Sequence, residues 1–178
     1  MRNGSGVDDH QHAAQTLGHP GERVRHAVGL AIAELARLAT RGHVYGVDHS
    51  QVMVGQARRR NAAAVRAHRV HLTQPSVDQP PGFDHPLDAI LAVNSLGFWP
   101  NPVERLRRLR GLLRPGGRIA LVGRPRYPGA DRDTTGRATQ ELQDLLTEAG
   151  FAHPRVEVLD IDPPAACLLA DNPTRMPS

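Results

Sequence analysis

Apolar positions along the chain alternate between two spacings, one helical and one strand-like. From Gly29 to Thr40, Ile32, Leu35 and Leu38 form a helical stripe that Gly42 brings to an end. Val44, Tyr45 and Val47 then favour an extended strand that stops on Asp48; Ser50 is placed to cap a following helix whose Met53, Ala57 and Val65 face inward. A short strand is expected near Val70 to Leu72, and the proline-rich QPPGFDHP stretch is expected to be a loop. Leu87 to Val93 is almost continuously apolar apart from Asp88, as in a strand covered by helices on both faces. Pro102 marks a helix start, with Val103, Leu106, Leu109 and Leu113 at helical spacing. Arg114, Pro115, Gly116 and Gly117 predict a turn, followed by a strand from Arg118 to Val122.

Beyond a long Arg-, Pro- and Gly-rich connection from Gly123 to Asp133, Leu142, Leu145 and Leu146 mark one more helix, closed by Gly150. The last strands are expected near Val156 to Leu159 and Ala166 to Ala170. This alternation predicts an α/β domain over residues 21–171. Residues 1–20 are polar and rich in Gly and His, which predicts a flexible arm, and residues 172–178 a tail. Arg23 to Val28 fits two alternatives, a first strand or a backward extension of the Ile32 helix, because Val24 and Val28 also fall on the helical stripe.

With 178 residues, 39% of them hydrophobic but only 3% aromatic, the core must be built from Leu, Val, Ile and Ala. All 22 Lys+Arg positions are Arg, which together with abundant Ala, Gly and Pro fits a GC-rich bacterial genome. The net charge of +4 suits an acidic partner in principle. Arg58, Arg59, Arg60, Arg66 and Arg69 have no interleaved aromatics, however, and solvated helix faces account for them without nucleic acid. No run approaches the roughly twenty apolar residues of a membrane span, and residues 1–20 lack the apolar stretch of a signal peptide. The single Cys167 excludes an intramolecular disulfide and a multi-thiolate zinc site, so a reducing cytoplasm is the expected compartment. Oligomeric state is not legible.

Few residues carry chemistry by themselves. Asp48, at a strand's carboxyl end, suits the two hydroxyls of a ribose in an open parallel sheet, or else serves as a cap. No Ser/His/Asp or Cys/His arrangement stands out, so no catalytic residue is expected, and His68, His71 and His85 read as surface histidines. Asp8, Asp9, His10 and His12 have metal-ligating chemistry, but a flexible arm gives them no frame, and no metal is expected. Phe98 and Trp99 are either an apolar wall for a substrate or anchors for the next helix.

Three segments together carry a resemblance: GVDHS with its strand and helix, the LDAILAVNS strand, and the LRPGGRIALV turn and strand. They resemble a class I S-adenosylmethionine-dependent methyltransferase over roughly residues 17–170. The resemblance implies a Rossmann-like, doubly wound, mostly parallel sheet with an antiparallel last strand, S-adenosylmethionine as cofactor, and a small-molecule methyl acceptor. It places Asp48 on the ribose, His49 or Met53 beside the adenine, Ser76 and Val77 at the adenine edge, and Asn94 facing the methionine moiety or the acceptor.

The chain departs from the family at its first glycine-rich motif, of the type VLEIGxGxG. The matching stretch runs from Pro20 to Ala39; its flanks fit, but its middle is shortened and holds only Gly29 for backbone approach to the cofactor. A first strand that is altered or missing follows as an expectation. Two functional readings remain: methyl transfer, and a non-catalytic methyltransferase-like protein with impaired cofactor binding.

Overall fold

A computed structural model of the chain describes residues 11–15, 27–74, 83, 85–123, 132–159 and 165–174. Its strands are β1 (Gln11–Gln15), β2 (His43–Val47), β3 (Val70–Thr73), β4 (Leu87–Val93), β5 (Leu113–Gly123), β6 (Ala152–Leu159) and β7 (Ala165–Asp171). They form one sheet in the order β3-β2-β1-β4-β5-β7-β6. Pairings from β3 to β5 are parallel, and β7 runs antiparallel to both β5 and β6. This is the doubly wound, mostly parallel sheet with antiparallel final strands that the resemblance implied.

Helices α1 (Ala27–Leu38), α2 (Gln51–Arg60), α3 (Ala62–Arg66), α4 (Pro102–Leu112) and α5 (Arg132–Glu148) connect the strands. Side chains of a strand alternate between its faces, and β2 shows which helices lie on which. Val44 packs with Ile32, Ala36 and Ala57 of α1 and α2, together with Val70 and Leu72 of β3. Tyr45, its neighbour in sequence, packs instead against the larger cluster that includes Ile90, Leu106, Ile119, Leu146 and Leu168 beneath α4 and α5. The two apolar clusters therefore cover opposite faces of the sheet. Gly46 makes the first one possible: an added Cβ would lie 2.5 Å from Leu72 Cδ2 and 2.6 Å from Ile32 Cδ1.

Polar side chains tie the helix ends to the strands. Ser50 caps α2, its Oγ accepting from the Met53 amide at 3.4 Å. The Arg69 guanidinium, at the entry to β3, donates to the Ala36 carbonyl and, at 2.9 Å, to that of Ala39, satisfying acceptors that the end of α1 leaves open. Buried Asn61 links α2 to α1 by donating to the carbonyls of Ala57 at 2.9 Å and Gly29 at 3.2 Å.

The RPGG turn lies inside β5 as an outward loop. Leu87 pairs with Leu113 and Ala89 with Arg118, so two steps along β4 face five along β5. Gly116 takes φ +74°, and a Cβ on Gly117 would lie 2.9 Å from the Arg114 carbonyl oxygen. Asp88, the one charged residue of the β4 run, pairs with Arg114 at 2.5 Å. Asn172 closes the loop from the other side. Its backbone exchanges hydrogen bonds with Gly116 (2.8 Å) and Gly117 (2.7 Å), and its Nδ2 donates to the carbonyls of Leu113 (2.9 Å), Arg114 (3.1 Å) and Arg110 (3.4 Å).

Three expectations change. Gln11–Gln15, assigned to a flexible arm, is the strand between β2 and β4, because both neighbours are ladder strands whose facing amides and carbonyls need partners. The remainder of residues 1–20 and Arg23 to His26 lie outside the described residues, and α1 begins at Ala27. Leu113, on the stripe of α4, leaves that helix to begin β5, and Asn172 belongs to the turn it clasps rather than to a tail. Trp99 is a core anchor at 5% exposure, whereas Phe98 is exposed.

Removing the clasp tests its weight. Asn172→Ala loses the side-chain hydrogen bonds to three carbonyls and is expected to cost about 1–3 kcal/mol of unfolding free energy. Urea denaturation monitored by circular dichroism measures this; a variant as stable as the parent would show that backbone bonds alone hold the RPGG loop.

Candidate functional site

The chain steps outward from β1 to β2 and β3, then returns across β1 to β4. The strand order therefore reverses between β1 and β4, and in open parallel sheets the ligand crevice opens at the carboxyl ends of the strands beside such a point. Asp48 follows directly on β2 and Asn94 directly on β4, so topology alone brings these two sequence-predicted residues to the same edge of the sheet.

Asp48 is 3% exposed. Its Oδ1 accepts from the Ser50 amide at 2.8 Å, and His49 Nδ1 lies 3.6 Å away on a half-exposed ring. Burial pushes the Asp48 carboxyl above the usual carboxylate range, against the opposing pull of the Ser50 amide and of His49. A carboxylate held in this way gains from further donors, and a vicinal diol supplies two. The loop is braced by the Asp48 amide donating to the Thr73 carbonyl at 3.3 Å, and by Gln74 Nε2 donating to the His49 carbonyl at 2.8 Å.

Asn94 adopts φ +49°, a left-handed conformation that Asn tolerates better than most residues, and its amide donates to the Val122 carbonyl at 2.7 Å. Beside it is a residue that sequence reasoning passed over. Ser95 is 2% exposed and its Oγ has no hydrogen-bond partner among the described residues; the indole N–H of buried Trp99 is in the same condition. Buried donors without partners are uncommon and call for water or a ligand. The only sequence signal was an Asn-Ser pair at the end of an apolar strand.

The other expected residues are distributed differently. Met53 is partly buried and packs on the α1/α2 cluster. Gly29 sits within α1 facing α2, where an added Cβ would lie 3.2 Å from Arg60 Cδ and 3.5 Å from Ala57 Cα, so helix packing accounts for its lack of a side chain. Ser76 and Val77 lie outside the described residues.

Comparison with known proteins agrees with this architecture. The family described as methyltransferase domain matches residues 27–119, more than half of the chain, from α1 into β5. A curated protein from Bacillus subtilis (strain 168), the uncharacterized methyltransferase YdaC, is 26% identical over 132 residues, covering 74% of this chain and 71% of its own. Among solved structures, a SAM-dependent methyltransferase from Aquifex aeolicus superposes with a TM-score of 0.65 at 18% identity, covering 89% of this chain and 81% of its own. The [4+2]-cyclase SpnF does so with a TM-score of 0.65 at 20% identity, covering 94% and 78%. A crevice at the strand-order reversal, an acid closing β2, the RPGG turn in β5 and the match from α1 onward lead to one assignment: this chain belongs to the class I S-adenosylmethionine-dependent methyltransferase family.

Proposed function

We propose that the chain binds S-adenosylmethionine across the β1–β4 crevice and transfers its methyl group to a small-molecule acceptor. The observation that carries this reading is Asp48, a buried acid at the end of β2 whose burial disfavours its charge unless a ligand adds donors. In the proposed complex both ribose hydroxyls donate to the Asp48 carboxylate, while His49 and Met53, on the same loop and helix start, border the adenine. Asn94 borders the methionine end, and the Ser95 hydroxyl gives that side of the crevice a donor still without a partner.

The cofactor supplies an activated methyl on a positively charged sulfur. Asp48, His49, Met53 and Asn94 would hold that cofactor, and with the carbon–sulfur bond broken toward sulfur its methyl would pass to a nucleophile of the acceptor. The protein's part is alignment and exclusion of water, which explains why no acid–base constellation is needed. A small-molecule acceptor also suits the arginines, several of which are engaged within the chain. Arg37 pairs with Glu34, Arg108 with Glu104, Arg118 with Asp171, and Arg58 donates to the Leu72 carbonyl.

One observation favours the second reading, a methyltransferase-like protein with impaired cofactor binding. The family match starts at residue 27, beyond β1, and β1 reads QHAAQ in place of the apolar VLEI of the family's first strand. Calorimetric titration with S-adenosylmethionine and S-adenosylhomocysteine separates the two. Micromolar binding supports the enzyme; absence of binding at millimolar ligand supports the impaired relative.

If the cofactor binds, Asp48→Ala is expected to weaken S-adenosylhomocysteine by about 10- to 100-fold, the worth of charge-assisted hydrogen bonds of roughly 1.5–3 kcal/mol. Equal affinities in the two proteins would remove Asp48 from the site.

The same residue links binding to stability. Because burial raises its pKa, the folded chain keeps the Asp48 proton to higher pH than the unfolded chain does. Stability therefore falls as pH rises from the unfolded value through the raised folded value. Asp48→Asn keeps an acceptor for the Ser50 amide but removes the charge. It should abolish that decline and leave the ligand-free chain at least as stable at neutral pH. Urea melts across the acidic-to-neutral range test this, and marked destabilisation of the Asn variant at neutral pH would contradict it.

A further inference from the structure

We propose that His43 and His71 form a binding site for a divalent transition-metal ion, at the end of β2 remote from Asp48. Tyr45 pairs with His71 across the parallel β2–β3 ladder, and His43 lies two residues before Tyr45, so all three project from the same face, the one opposite α1 and α2. His43 Nδ1 is 3.3 Å from His71 Nε2 and 3.0 Å from the carbonyl oxygen of His68. Three atoms with lone-pair donors thus converge at the start of the two strands.

The separation fits metal coordination. Zinc binds imidazole nitrogen at 2.0–2.1 Å, and two such nitrogens at a tetrahedral angle lie about 3.3–3.4 Å apart. The pair already has this N···N spacing, and an ion binds once the two rings tilt their lone pairs toward a common point beside the line that joins them. The surroundings keep the donors in place. The His71 ring stacks on Tyr45 at 4.9 Å and 18°, and Tyr45 meets Phe83 edge-on at 5.1 Å. His68 is held at φ +56° in a turn whose amide bonds the Val65 carbonyl at 3.0 Å, while the following Arg69 amide bonds that of Ala64 at 2.9 Å.

The His43–His71 hydrogen bond needs a proton on one of the two facing nitrogens; for a metal ion to bind both, that proton moves to the other nitrogen of its own ring, so that each neutral imidazole offers one lone pair and keeps one N–H. Two imidazoles select Zn²⁺, Cu²⁺ or Ni²⁺ over Mg²⁺ or Ca²⁺. No group of three or more His, Cys, Asp or Glu residues gathers among the described residues, so the His68 carbonyl and solvent complete the coordination. The bound ion clips edge strand β3 to β2, the strand that carries Asp48 at its other end.

The test uses the untagged full chain, stripped with a chelator and titrated with Zn²⁺ alone. One equivalent is expected to bind in the micromolar range and to raise the thermal midpoint. His43→Ala and His71→Ala should each weaken binding by about tenfold or more, whereas His153→Ala should not. If either variant fails to fold, imidazole nitrogen resonances of the unaltered chain give the answer directly, with Zn²⁺ shifting His43 Nδ1 and His71 Nε2. Absence of binding at millimolar Zn²⁺, undiminished binding in both variants, or resonance changes confined to other histidines such as His10 would each overturn the site.

Discussion

Strands β2 and β4 do not touch, and the ladder that joins the two halves of this sheet passes through Gln11–Gln15. A strand inside a parallel sheet must meet a neighbour's amides and carbonyls along both edges, and each such group left buried and unpaired costs about 1–3 kcal/mol. That requirement accounts for QHAAQ, composed unlike the apolar central strands of other parallel sheets, occupying the middle of this one. It also sets the crevice. With one strand between β2 and β4, their carboxyl ends lie about 9–10 Å apart, two strand spacings.

Legibility in the sequence followed the source of each element's order. Leu87 to Val93 is set by its own apolar run and α4 by Pro102 and a leucine stripe, and both matched expectation within a residue or so. Asp48 was readable because a strand pattern stopping on an acid needs only local sequence. What could not be read depends on register between distant segments. β1 exists because of its neighbours, Leu113 leaves its helix to pair with Leu87, and Asn172 clasps a turn more than fifty residues earlier. Ser95 stayed hidden because burial without a partner is a property of packing, and the approach of His43 to His71 required the β2–β3 register, which no periodicity reports.

The arginine-only basic set also takes meaning from structure. A guanidinium offers several donors in a fixed fork, and the chain uses it on backbone carbonyls as much as on acids. Arg69 closes the end of α1, Arg58 reaches the Leu72 carbonyl, and Arg107 reaches that of Glu148. Positive charge spent on the fold's own acceptors is poorly placed to form a continuous track for a polyanion, so the net charge of +4 says less about partners than it first suggests.

The two faces of the sheet divide the work unequally. The larger apolar cluster, beneath β4, β5 and β7 with α4 and α5, also anchors Trp99 and lies beside the Asn172 clasp. The smaller cluster, between α1, α2 and β2–β3, supports the segment that ends in Asp48 and His49. That segment carries a buried acid whose charge is disfavoured by its burial. A ligand that binds only the folded state adds RT ln(1 + [L]/Kd) to stability. A cofactor whose hydroxyls meet Asp48, as proposed, would therefore stabilise the segment that the smaller cluster supports. Fold likeness alone reaches no further than this scaffold, since a protein named as a [4+2]-cyclase shares it; what argues for methyl transfer is the acid at the end of β2 and the family match that surrounds it.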